Sequence, residues 1–296
     1  MRRRPASSRL DRTARVIDSV GQPPLRARRG APAGGFLRAG EIRREAIASA
    51  DVYPFDLPAL RGLTRVELAA GATFFIGENG SGKSTLLEAI VLAAGFNPEG
   101  GSVNFRFAAR PSESALHDAL RLVRGARRPR SGFFFRAETF FNVATEIEQL
   151  GLLALDGGRS FHEQSHGESF LALVRGFAAD GLYVLDEPEA AMSPTGQLAM
   201  LAVRHDLVEA GAQVLVATRS PILLALPGAT ILEVGPDGIA PVPYEAAGPV
   251  QIYRAFLADP PRVLEACWHA DRRRRTADAV AAAAARRGLA LVRRSP

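Results

Sequence analysis

From about residue 51 the chain alternates short apolar runs with stretches of good helix formers, which is the pattern of a parallel sheet covered by helices on both faces. Candidate strands are Leu63–Leu68, Thr73–Ile76, Gly132–Phe135, Leu182–Leu185, Gln213–Ala217 and Thr230–Val234. The segment STLLEAIVLAAG after Lys83 predicts a helix that stops at Gly95. A second helix is predicted over Pro194–Glu209, with proline in its first turn and Gly211 just past its end. Between Phe96 and Arg130 the pattern weakens, and RGARRPRSG reads as an exposed loop in the most variable part of the domain. The fold class is therefore α/β, with a mainly parallel sheet. No internal repeat is visible.

Composition and charge refine the two ends. A chain of 296 residues with 47% hydrophobic content can bury one large α/β core. The net charge of +6 hides a division: residues 1–45 hold 12 arginines against four acids, residues 262–296 hold nine against three, and the middle is acidic. Residues 1–45, with scattered Pro, Gly and Ser and little apolar periodicity, read as a disordered or loosely docked basic arm. Residues 46–258 form the domain, and 259–296 an Ala/Arg-rich tail of helical propensity. Basic arms suit nucleic acid or an acidic surface, although a solvated arginine-rich tail is the plainer reading. The lone Cys267 forms no intrachain disulfide, no secretory apolar stretch follows the arginine-rich start, and Arg219, Pro221 and Pro227 interrupt the most apolar stretch. These features predict a soluble, cytoplasmic protein.

Lys83 is the only lysine of the chain, and it sits in GENGSGKST, residues 77–85. Gly77, Gly82, Lys83 and Ser84 satisfy G-x-x-x-x-G-K-[ST], the phosphate-binding loop. Glycines let several backbone N–H groups, including those from Asn79, Gly80 and Ser81, turn toward one phosphate. The following helix adds its positive N-terminus at Ser84 and Thr85, and lysine adds a compact charge on the outer phosphates. Arginine, planar and directional, is a poor substitute for that point charge. A glycine turn that binds nothing is the competing reading, and the strand before and helix after the loop argue against it.

A phosphate loop that hydrolyses needs a metal ligand and a base. The apolar run of GLYVLDEPEAAMSP ends in Asp186, suited to holding Mg²⁺ through water together with the Ser84 hydroxyl; Glu187 beside it is suited to deprotonating an attacking water.

With these motifs the chain resembles the ABC-type phosphate-loop ATPases, the class of transporter motors and of SMC, RecF and related repair ATPases. QSHGES, residues 164–169, resembles the LSGGQ signature of that class: Ser165, Gly167 and Glu168 align, and His166 departs from its first glycine. The resemblance implies a short helical subdomain within about residues 96–180, antiparallel strands beside the main sheet, and bound ATP with Mg²⁺. It also implies a head-to-tail homodimer in which this segment faces the γ-phosphate held by the other copy. Tyr53 lies where the class places an aromatic on adenine, with Phe55 as competitor and core packing as the alternative for either. Glu138, in RAETFFN, stands in place of the class's glutamine as a candidate for the metal's water shell, while Arg136 reaches phosphate or is simply solvated. Ser193 stands where transporter motors carry aspartate. In VATRSP, Arg219 replaces the switch histidine, so a group that is always charged occupies a position that elsewhere can be neutral.

With 81 residues between Lys83 and Ser165 there is no room for a coiled-coil arm, so a compact head is implied. The resemblance is nearer to small soluble AAA/ABC-class ATPases allied to RecF and SMC than to transporters. It implies ATP hydrolysis in nucleic-acid maintenance or defence. The alternatives are a motor subunit with a membrane permease partner, and a nucleotide-gated module that turns over slowly.

Overall fold

Residues 72–76, ATFFI, are buried at every position, so the strand they form must lie inside a sheet covered on both faces. The computed structural model describes residues 34–97, 100–102, 115–137 and 174–269. In chain order these build β1 (Leu37–Ile42), α1 (Pro58–Arg61), β2 (Arg65–Glu67), β3 (Ala72–Ile76), α2 (Lys83–Ala94), β4 (Gly101–Ser102), α3 (Leu116–Ala119), β5 (Leu120–Arg124) and β6 (Ser131–Arg136). There follow β7 (Gly181–Asp186), α4 (Pro194–Glu209), β8 (Gln213–Ala217), α5 (Pro221–Leu224), β9 (Thr230–Gly235), β10 (Gly238–Pro241) and α6 (Gly248–Ala258). The chain divides into two units after Ala247. In the second, the described residues are helical, in α6 and over 260–269. Among the described residues no helix is long and apolar enough to cross a membrane.

The main sheet has the order β10-β9-β3-β8-β7-β6-β4. Its five inner strands are parallel, and β10 and β4 close the two edges antiparallel. Alternation of side chains sorts the two faces. Phe75, Phe134, Leu182, Val184 and Leu215 join the core around α2 with Leu86, Leu87, Ile90 and Val91. Phe74, one residue away, turns to the other face, where it meets Arg204 of α4. There Tyr183 stacks on Phe177 at 4.0 Å between ring centroids.

A second sheet, β2-β1-β5, is wholly antiparallel. Its inner residues Val66 and Leu120 pack into the α2 core, so α2 is enclosed between two sheets and is apolar nearly all round. On the outer face Glu41 accepts from Arg65 on one neighbouring strand and Arg121 on the other.

This sheet corrects two expectations. β1 lies inside the stretch read as a disordered arm, yet Leu37 and Ala39 are almost completely buried. β5 lies in the stretch where no strand was expected. In both, outward arginines at Arg38, Arg121 and Arg124 mask a short buried row.

Gln213, buried at the start of β8, holds the two sheets together. Its Nε2 donates to the carbonyl oxygens of Leu37 and Ala69, each at 2.7 Å, and its Oε1 accepts from the Leu37 N–H at 2.8 Å. Gln213→Leu removes all three bonds and leaves three backbone groups, two buried and one half-buried, without that partner. At roughly 1 kcal/mol for each, stability should fall by about 3 kcal/mol, as a lower urea midpoint at unchanged slope.

Candidate functional site

Parallel strands of a doubly covered sheet end on a common edge, and ligands of such sheets bind beyond their C-terminal ends. Here β8 lies between β3 and β7, and Phe75, Ala217 and Asp186 are in register across the three strands. The residues that follow are the glycine loop, Thr218–Arg219 and Glu187, so three segments distant in sequence leave the sheet side by side.

The loop from Gly77 to Gly82 joins β3 to α2. Gly77 has φ +148°, and a Cβ there would stand 2.3 Å from the Val234 carbonyl oxygen and 2.8 Å from Ser81 Oγ. Gly82 caps α2 in the left-handed region at φ +99°, where other residues are strained. Lys83 is 4% exposed, and its Nζ donates to the Glu78 carbonyl oxygen at 3.2 Å across the loop. Burial lowers the Lys83 ammonium below its ordinary range; the Arg219 charge acts the same way, and Glu187, Asp186 and Glu189 oppose it. Ser81 Oγ is sealed from solvent, with no hydrogen-bond partner among the described residues. A glycine-lined turn with an orphaned hydroxyl and a buried lysine fits a phosphate chain.

Ser84 Oγ donates to Asp186 Oδ1 at 3.2 Å. A hydroxyl and a carboxylate so close, beside the glycine loop, fit the donor set of Mg²⁺. Arg136 is paired rather than simply solvated: its Nη2 donates to Glu88 Oε2 of α2 at 2.8 Å and its Nε lies 3.8 Å from Asp186 Oδ2.

Glu187 is the only non-glycine residue with positive φ among those described, at +48°. Strain of this kind persists where the surroundings impose it. The Glu187 N–H donates to the Ala217 carbonyl oxygen at 2.9 Å, and its carboxylate accepts from Arg219 Nη2 at 2.6 Å. Arg219 Nη1 donates to Asn79 Oδ1 in the glycine loop. Arg219 thus bridges the phosphate loop and the residue read as the base.

Tyr53 and Phe55 are separated by their burial: Phe55 is 8% exposed and belongs to the core, whereas Tyr53 is 53% exposed. The Tyr53 hydroxyl lies 3.0 Å from Thr85 Oγ1, beside the start of α2. Ser193 caps α4, accepting from the Gly196 N–H at 3.2 Å. Ser165, His166, Gly167, Glu168 and Glu138 lie outside the described residues. The structure brings together Gly77, Asn79, Gly80, Ser81, Gly82, Lys83, Ser84 and Thr85 with Asp186, Glu187 and Arg219.

Two residues near the site escaped the sequence reading. Glu189 accepts from the Thr218 hydroxyl at 2.7 Å and the Arg219 N–H at 2.6 Å; its only signal is an acid following Asp186, Glu187 and a turn-forming proline. Arg204 is 1% exposed, with none of its three nitrogens hydrogen-bonded among the described residues. Its Cζ lies 5.4 Å from the Phe74 ring centroid. It shares the inner face of α4 with Gln197 and Met200, and that spacing is the signal that was available.

A family model described as an AAA domain matches residues 55–130. Among solved structures, the SMC head domain from Thermotoga maritima is 14% identical, with 60% of this chain and 93% of that one covered at a TM-score of 0.35. A nucleotide-free ATP-binding cassette from an ABC transporter is 17% identical, with 68% and 89% covered at a TM-score of 0.38. An ATP-binding subunit of an ABC transporter is 16% identical, with 66% and 86% covered at 0.39. No curated protein matches. The chain is similar to phosphate-loop ATPases.

Burial pushes the Arg204 guanidinium down to about 9, well below its ordinary range. Between about 9 and that ordinary range the unfolded chain binds more protons than the folded one, so stability rises with pH there, and below about 9 the full desolvation cost is present. Arg204→Met should therefore stabilise the protein at pH 7, by about 2 kcal/mol. That advantage should shrink as pH is raised from 9 to 10.5 in urea titrations; a destabilised methionine variant would show that the buried charge supports the fold.

Proposed function

We propose that this chain is an ATP-binding, magnesium-dependent ATPase whose nucleotide site lies beyond the C-terminal ends of β3, β7 and β8. The observation that carries the reading is the convergence, from three separate segments, of the Lys83 loop, the Ser84–Asp186 pair and Glu187. Each of these groups alone has ordinary structural explanations. Their meeting at the one edge of the sheet where ligands bind supports a catalytic site.

In this reading the backbone of residues 77–82 and the Lys83 ammonium bind the phosphates, and Tyr53 stacks on the base. Ser84 and Asp186 would hold magnesium, which would supply charge neutralisation for the phosphates. Glu187 accepts a proton from a water whose oxygen bonds to the γ-phosphorus while the bond to the β–γ bridging oxygen breaks. ADP leaves, and the proton departs with the phosphate.

The Arg219–Glu187 contact at 2.6 Å bears on the rate. A carboxylate engaged by a guanidinium must be freed before it can accept a proton, and the guanidinium only donates, whereas the histidine of related enzymes can also accept. This favours slow turnover, with bound ATP itself as the signal. Completion of the site by Ser165, Gly167 and Glu168 of a second copy, in a head-to-tail dimer, belongs to the same proposal. So does action on nucleic acid, supported only by the arginines at the two ends.

Steady-state hydrolysis with and without DNA tests the reading. Lys83→Ala should weaken ATP binding about 100-fold. Glu187→Gln should abolish turnover while retaining ATP and accumulating as a dimer, and Arg219→His should raise kcat by about tenfold. A wild type as fast as Arg219→His removes the slow-turnover component, and a Glu187→Gln variant that stays monomeric in saturating ATP removes the dimer.

A further inference from the structure

Pro188 opens a single 3-10 turn, Pro188–Ala191, immediately after the left-handed Glu187. Proline fixes φ and cannot extend the strand, so the chain folds back and presents Glu189 to the end of β8. There both carboxylate oxygens are engaged: Oε2 by the Thr218 hydroxyl at 2.7 Å and Oε1 by the Arg219 N–H at 2.6 Å. Thr218 Oγ1 in turn accepts from the Ser220 N–H at 3.0 Å. Three successive residues of the β8 exit are thus tied to the turn, because the Ala217 carbonyl oxygen already accepts from the Glu187 N–H at 2.9 Å.

These bonds close a circuit. Glu189 holds the backbone of Arg219, the Arg219 side chain holds Glu187, and Glu187 is joined to Glu189 through Pro188. A guanidinium on a fixed root has few places to go. It can rest on Glu187 and Asn79, or swing toward a phosphate in the adjoining loop, without dragging the strand with it. Hydrogen bonds to an ionised acceptor are about twice as strong as neutral ones, and one acid here holds two donors. Its negative charge also acts on Lys83 and on the buried Arg204.

We propose that Glu189 is the positioning residue of the switch, fixing the root of Arg219 so that its guanidinium moves between Glu187 and the phosphate loop. This rests on the ATPase reading above. Glu189 touches neither nucleotide nor water in it and acts only through Arg219.

The test is a double-mutant cycle on the full chain, with kcat and ATP affinity measured separately. Glu189→Ala should change kcat at least fivefold, in the same direction as Arg219→Ala, while ATP affinity stays within threefold. In the Arg219→Ala background, Glu189→Ala should change kcat less than twofold. Glu189→Gln, which retains an oxygen for the Arg219 N–H, should recover most of the wild-type rate, and it serves alone if the alanine variant does not fold. Additive effects in the two backgrounds, or an alanine variant with wild-type kcat, overturn the proposal while leaving the ATPase reading intact. If the wild type binds ATP but does not hydrolyse it, the hydrolysis reading fails instead. The positioning role is then read from the crystal structure of Glu189→Ala: Arg219 displaced from Glu187 and Asn79 supports it, and Arg219 in place overturns it.

Discussion

Hydrogen-bond register across three strands is the constraint from which the site follows. Because β8 separates β3 from β7, and Phe75, Ala217 and Asp186 share a row, the chain leaves the sheet at three adjacent points. A slip of one residue in either pairing would turn every side chain of that strand to the opposite face. Phe75 would leave the α2 core and Asp186 would leave Ser84. The continuous burial of β3, β7 and β8 therefore fixes the core and also sets where the charged groups beyond it stand.

Those charged groups are held close together at the cost of desolvation. Lys83 is buried beside Asp186, Glu187 and Glu189, and Arg219 and Arg136 come from opposite sides to two of these acids. An unpaired buried charge is expensive, so acids and bases alternate here. Arg204 departs from the pattern: it lies under α4 with only the Phe74 ring and the more distant Glu189 to offset its charge.

What could be read from the sequence was local. GENGSGKST carries its meaning within nine residues, and the strand over Gln213–Ala217 and the helix over Pro194–Glu209 were bounded by their own turn and cap residues. The apolar runs of β3, β6, β7 and β9 were placed to within a residue or so at each end. β1 and β5 were missed because only part of each is buried and arginines fill the outward positions, so composition overrode periodicity. Phe55 and Tyr53 could be told apart only by burial, which is tertiary. Glu189, Glu88 and Gln213 act through partners 29 to 176 residues away, and nothing in the local pattern of any of them announces the partner.

Gln213 ties β1 to the strand that ends just before Arg219, and this has a consequence for how the fold opens. A three-stranded antiparallel sheet at the margin of a larger one would ordinarily fray on its own, giving its amides fast exchange with solvent. Here detachment of β1 breaks the two buried bonds between Leu37 and Gln213 at the root of β8 and uncovers the inner face of α2. The small sheet and the strand beneath Arg219 are therefore one cooperative unit, and the Leu37 amide exchanges only when the core around α2 itself comes apart.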